Sequence, residues 1–137
     1  MSLEINVLVV DDYAPIRRTL RGLLQQIGFR NIDDLGDAES ALAKMRDRSY
    51  DLIISDWKME PVSGLDFLKQ VRANENLKNI PFLMVTAAGT SAEVMMAKEA
   101  GVSNYIVKPF NLATLRKKIH AVLGLTSDPN QAAEALP

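Results

Sequence analysis

Cysteine is missing from all 137 residues, so neither a disulfide nor a thiolate-held metal can belong to this protein. A surplus of one charge is missing too. Sixteen basic side chains stand against 17 acidic ones, a net charge of −1, and no strong field exists to draw in nucleic acid or an anionic membrane. No apolar run approaches the ~20 residues of a membrane span, and the amino terminus has no basic stretch ahead of a signal-type apolar core. Apolar residues at 47% suffice for one core, and 137 residues leave room for one domain. A soluble, cytoplasmic monomer without nucleic-acid or membrane partners is expected.

What the chain does have is acids placed after apolar runs. Asp11 and Asp12 follow the run from Ile5 to Val10, and Asp56 follows Leu52 to Ser55. Short, β-branched, nearly all-apolar runs read as strands buried on both faces, the mark of a parallel sheet covered by helices. Further strands are predicted near 30–35, over 82–85 with Thr86 at the end, and over 105–107. Between them the 3.6-residue period predicts helices over 14–27, 38–47, 64–73, 91–100 and 112–123. Pro15 suits a first turn and Gly28 a helix end, while Thr90-Ser-Ala-Glu93 reads as a capping box that Gly101 later closes off. Five β-α units argue for an α/β fold with right-handed crossovers and helices on both faces. The stretch from Thr126 to Pro137 is small and polar, and a frayed tail is expected.

If the strand order is 2-1-3-4-5, Asp11, Asp12 and Asp56 converge beside the topological switch point, with Thr86 and Lys108 on the rim. Carboxylates so close repel one another by roughly 4 kcal/mol per pair, so the group calls for a cation. A hard divalent ion such as Mg²⁺ suits a sparse oxygen site. One outward carboxylate could then attack phosphorus, with the lysine and the hydroxyl neutralising phosphoryl oxygens. Other acids are read as structural: Asp33, Asp34 and Asp37 lack the spacing of a calcium loop and are assigned to turns and caps. Met45, Met84, Met95 and Met96 are assigned to the core, and His120 to the solvated side of its helix. Trp57 is placed at the edge of the site without chemistry.

The stretches Val7-Leu-Val-Val-Asp-Asp12, Ile53-Ile-Ser-Asp-Trp57, Leu83-Met-Val-Thr-Ala87 and Tyr105-Ile-Val-Lys-Pro-Phe110 together resemble the receiver domain of two-component response regulators, most closely its single-domain chemotaxis members. The resemblance runs from about residue 4 to 124. It implies a flavodoxin-like five-stranded parallel sheet with five helices, Asp56 as phosphoacceptor for a sensor histidine kinase, and Mg²⁺ held by Asp11, Asp12, Asp56 and the main-chain carbonyl of Lys58. It also implies a Lys108 paired with the phosphoryl group, a cis Lys108–Pro109 bond, and a switch made by Thr86 and Tyr105. The partner face would include Val94, Tyr105, Val107 and Lys118, with a flagellar motor switch as a candidate target.

Departures from that pattern are Lys58 in place of asparagine, Ala88 in place of glutamate, and Glu60, Pro61 and Ser63 in the loop that follows. Lys58 is expected to pair with an acidic neighbour and alter hydrolysis of the acyl phosphate. Two other roles compete with a signalling switch. One is a phosphate sink or relay intermediate draining a shared kinase. The other is a small aspartyl-nucleophile phosphatase, which would want an acid two residues after Asp11 where Tyr13 stands.

Overall fold

The computed structural model describes residues 4–87 and 89–124. Its order is β1 (Asn6–Val10), α1 (Ala14–Ile27), β2 (Asn31–Leu35), α2 (Ala38–Asp47), β3 (Leu52–Asp56), α3 (Gly64–Ala73), β4 (Phe82–Thr86), α4 (Ser91–Glu99), β5 (Asn104–Val107) and α5 (Leu112–Leu123). The strands form one sheet in the order β2-β1-β3-β4-β5, every pair parallel. The flavodoxin-like α/β architecture expected from the sequence is the one observed.

Strand periodicity divides the core in two. Val7 and Val9 face Leu20 and Leu24 of α1 and Leu115 and Ile119 of α5. Leu8 and Val10 face Ala38, Ala41 and Met45 of α2 and Phe67, Leu68 and Val71 of α3. Because successive side chains alternate across a strand, burial on both faces demands an unbroken apolar run, which is what β1 and β3 carry. Helix ends obey local chemistry. Pro15 sits in the first turn of α1, and Gly28, at φ 125°, turns its N–H back to the Leu24 and Gln25 carbonyls. Asp37, Ser63, Thr90 and Asn111 cap α2, α3, α4 and α5 through their side-chain oxygens.

Several local expectations are corrected. Asp33 and Asp34 lie inside β2 rather than in a turn, although Asp37 does cap α2. As an edge strand, β2 can carry acids because α1 and the α2–β3 connection supply cations. Asp34 accepts from Arg17 at 3.1 Å and Arg21 at 2.8 Å, while Asp33 is ion-paired with Arg48 at 3.3 Å and accepts from the Tyr50 hydroxyl. Met45 and Met84 are buried as expected, but Met95 and Met96 are 61% and 43% exposed. The single histidine, His120, is half-buried instead of solvated. Burial, with the charge of Arg116, pushes its pKa down, and its Nδ1 is buried without a hydrogen-bond partner among the described residues. The frayed tail expected after residue 125 lies outside the described residues.

Arg72, near the end of α3, fastens three segments at the amino-terminal edge of β4. Its Nε donates to the Gly101 carbonyl at 2.7 Å, and its Nη1 to the Lys78 and Ile80 carbonyls at 3.0 and 2.6 Å. Among the described residues no helix is long and apolar enough to cross a membrane.

Candidate functional site

The parallel register pairs Val10 of β1 with Ser55 of β3, so the next residue on each strand, Asp11 and Asp56, emerge side by side. Asp56 is the last residue of β3 rather than the first beyond it, and Thr86 likewise ends β4. Ladder hydrogen bonds continue past the strand ends. Asp11 N–H reaches the Leu35 carbonyl at 3.1 Å, Trp57 N–H the Val85 carbonyl at 2.8 Å, and Lys108 N–H the Thr86 carbonyl at 2.8 Å. Asp11, Asp56 and Lys108 are therefore held by sheet backbone, which orients a side chain better than a free loop does, while Asp12 stands exposed one residue further on.

Asp11, Asp12 and Asp56 each offer a carboxylate oxygen within 4.8 Å of the others. At that separation each charged pair costs roughly 3–4 kcal/mol at an effective dielectric near 20. Lys108 offsets part of this, its Nζ lying 2.8 Å from Asp56 Oδ1. Asp11 is buried, its Oδ1 takes the Tyr13 N–H at 2.9 Å, and its Oδ2 has no hydrogen-bond partner among the described residues. Burial, first of all, holds the Asp11 carboxyl above the usual carboxylate range. The Asp56 charge acts in the same direction, while the Tyr13 N–H and Lys108 oppose it.

An all-oxygen donor set with one buried, unsatisfied carboxylate oxygen fits a hard divalent cation that keeps several waters, as Mg²⁺ does. The Lys58 carbonyl takes part in no backbone hydrogen bond among the described residues, so it is available as a further oxygen. The Lys58 side chain is exposed and forms no ion pair among them, contrary to the pairing expected from its charge.

The loop after Asp56 comes so close that residue 64 must be glycine. Gly64 N–H donates to the Trp57 carbonyl at 2.7 Å, and a Cβ at this position would lie 2.0 Å from the Asp56 carbonyl oxygen. Arg17 braces the opposite side, its Nη1 donating to the Asp11 carbonyl at 2.6 Å. Thr86 is buried, and its hydroxyl donates to Glu93 Oε1 at 3.1 Å.

The remaining sequence-selected residues lie away from the acids. Tyr105 is half-buried on β5 beneath Lys118, whose Nζ is 5.0 Å from the ring centroid and 3.3 Å from Asn104 Oδ1. Val107 is exposed and Val94 half-buried. Gly89 lies against this face, since a Cβ there would sit 2.8 Å from Val107 Cγ2. The Lys108–Pro109 bond is cis, as the resemblance implies, and so is Glu60–Pro61.

Arg17 and Glu93 are the neighbours of the site that sequence reasoning passed over. Arg17 is one of three arginines in α1, with nothing in its spacing to single it out. Glu93 was absorbed into the capping box, a signal that says nothing about a second partner.

A doubly wound parallel sheet with acids of β1 and β3, a threonine of β4 and a lysine of β5 at its carboxyl edge defines a receiver-type domain. The sequence model of the response regulator receiver domain matches residues 7–120, and the chain belongs to that family. Among curated relatives, it is 38% identical over 122 residues to the chemotaxis protein CheY-3 of Vibrio cholerae, covering 89% of this chain and 94% of that protein. It is 39% identical over 116 residues to CheY of Pseudomonas aeruginosa, covering 85% and 94%. The solved structure of Vibrio cholerae CheY4 superposes with a TM-score of 0.83 at 36% identity, covering 88% of this chain and 99% of that one.

Proposed function

We propose that residues 4–124 act as the receiver of a response regulator: Asp56 accepts a phosphoryl group from a histidine of a sensor kinase, and the modified form presents a changed α4-β5-α5 face to a protein partner. The observation that carries this reading is the arrangement of Asp56, buried at a strand end, ion-paired with Lys108 at 2.8 Å and grouped with Asp11 and Asp12. A carboxylate oxygen of Asp56 attacks the phosphorus; the phosphorus–nitrogen bond to the donor imidazole breaks, and the imidazole leaves with a proton from solvent.

Asp11, Asp12, Asp56 and the Lys58 carbonyl would hold Mg²⁺, which when bound neutralises charge on phosphoryl oxygens. Lys108 supplies a second positive charge from the other side, and Thr86 a hydroxyl. The cycle ends by hydrolysis of the acyl phosphate, so the protein turns over only its own phosphoryl group.

The partner face would comprise Val94, Tyr105, Val107 and Lys118. Exposed Met95 and Met96 beside it favour a binding role over a phosphate sink, which needs no apolar contact surface. The chemotaxis assignments of the relatives suggest a partner in the flagellar motor switch.

The chemistry is tested by incubating the protein with Mg²⁺ and acetyl phosphate and locating the adduct by peptide mass. One phosphoryl group on Asp56, absent from Asp56→Asn, is the expected result; an unmodified Asp56 rejects the proposal. Binding to purified motor-switch protein only in the modified form separates a motor regulator from a sink.

A further inference from the structure

Glu93 does something a capping box does not require. Thr90 Oγ accepts the Glu93 N–H at 3.2 Å, the ordinary half of the box. In the other half the carboxylate would return to the Thr90 N–H. Here Glu93 Oε1 instead takes the proton of the Thr86 hydroxyl at 3.1 Å. The first turn of α4 is thereby tied to the last residue of β4, beside the acceptor strand.

A threonine hydroxyl carries one proton and can give it to one acceptor at a time. If Thr86 serves the phosphoryl oxygens, as in the function proposed above on which this inference rests, its bond to Glu93 must break first. The Glu93 carboxylate is a charged acceptor, as a phosphoryl oxygen is, so the two compete for that proton. The two bonds are mutually exclusive, and exclusivity of this kind sets the balance between two states.

We propose that Glu93 is a positioning residue that holds Thr86 against α4 in the unphosphorylated protein and lets it go when Asp56 is modified. Loss of the bond also frees the α4 turn that carries Val94 and Met95, which links the acid site to the partner face. Glu93 therefore opposes activation, and removing it should favour the activated state without touching the acids, Lys108 or the hydroxyl itself.

The test uses beryllofluoride, a phosphoryl mimic that bonds to an aspartate carboxylate, titrated in Mg²⁺ and followed through the fluorescence of Trp57. Glu93→Ala is expected to bind it at least about fivefold more tightly than the natural chain, the low end of coupling between two sites. Glu93→Gln, which keeps a weaker acceptor in the same place, should fall between the two. In a Thr86→Val background, where no hydroxyl is left to hold, both gains should vanish. Unchanged affinity in Glu93→Ala overturns the proposal. So does a gain that persists undiminished in the Thr86→Val background, since that would be the effect of charge alone. If the natural chain responds no more than Asp56→Asn, the phosphoacceptor reading itself fails, a result distinct from either of those.

Discussion

Asp11 carries a carboxylate that the fold buries while leaving one oxygen unmatched. Its pKa is raised in the folded chain, so the protonated form suits the fold better than the charged one. The associated stability is fully present below the ordinary aspartate value and is lost as pH rises through the raised value. At neutral pH the charge is a cost. Asp11→Asn keeps an oxygen for the Tyr13 N–H and removes the charge. It should stabilise the metal-free protein at pH 7 by about 1–3 kcal/mol, the range for relieving an unmatched buried group. The same variant should lose most of the stabilisation that Mg²⁺ gives the natural chain, about 2.7 kcal/mol at a hundredfold excess over Kd. Thermal melts across pH 3–8, with and without Mg²⁺, read both effects. Gly64 is the converse case, where the constraint is space. Gly64→Ala would force its Cβ into the Asp56 carbonyl. A loss of about 1–3 kcal/mol in chemical denaturation is expected, together with slower phosphorylation as Asp56 is displaced.

Among the strands and helices, β2 shows how a sequence can conceal a strand. Asn31-Ile-Asp-Asp-Leu35 has low strand propensity and reads as weak, yet it pairs along its length with β1. Its acids are matched by arginines from α1 and from the α2–β3 connection, contacts no local window contains. The Arg21 hydrogen bond, above all, holds the Asp34 carboxyl below the usual range. That stability is present above the ordinary aspartate value and is lost as pH falls through the depressed one. Arg21→Ala should cost about 1 kcal/mol at pH 7 and progressively less as pH falls below the ordinary aspartate value, measured by urea titration across the acid range. Helix α4 misleads in another way. Val94-Met-Met-Ala97 is apolar on consecutive positions, so its period cannot say which side faces inward; only Ala97 is buried. By contrast, α1 and α5 carry one clear stripe each, and their buried Leu20, Leu24, Leu115 and Ile119 were legible in advance.

For the molecule as a whole, adjacency of β1 and β3 makes the site. Val7–Val10 and Leu52–Ile54 are unbroken apolar runs, so the burial of both strands and the acids near their ends could be read directly from the chain. Convergence of Asp11, Asp12, Asp56 and Lys108 followed once the strand order was assumed. What could not be read was how the site connects to the rest: the brace from Arg17, the bond from Thr86 to Glu93, and a Lys58 side chain that forms no ion pair among the described residues. These depend on rotamers and on loop paths that no period or motif encodes.

Arg72 has a further consequence for motion. Its guanidinium rivets Gly101, just past the end of α4, to carbonyls before β4, while the opposite end of α4 is held to β4 through Glu93. A rod bolted at one end and lightly clasped at the other pivots; it does not slide. Hydrogen-exchange labelling should therefore find amides 101–104 equally slow with and without beryllofluoride, and amides 90–95 faster once it binds. Uniform acceleration along the entire helix would mean that the rivet gives way as well.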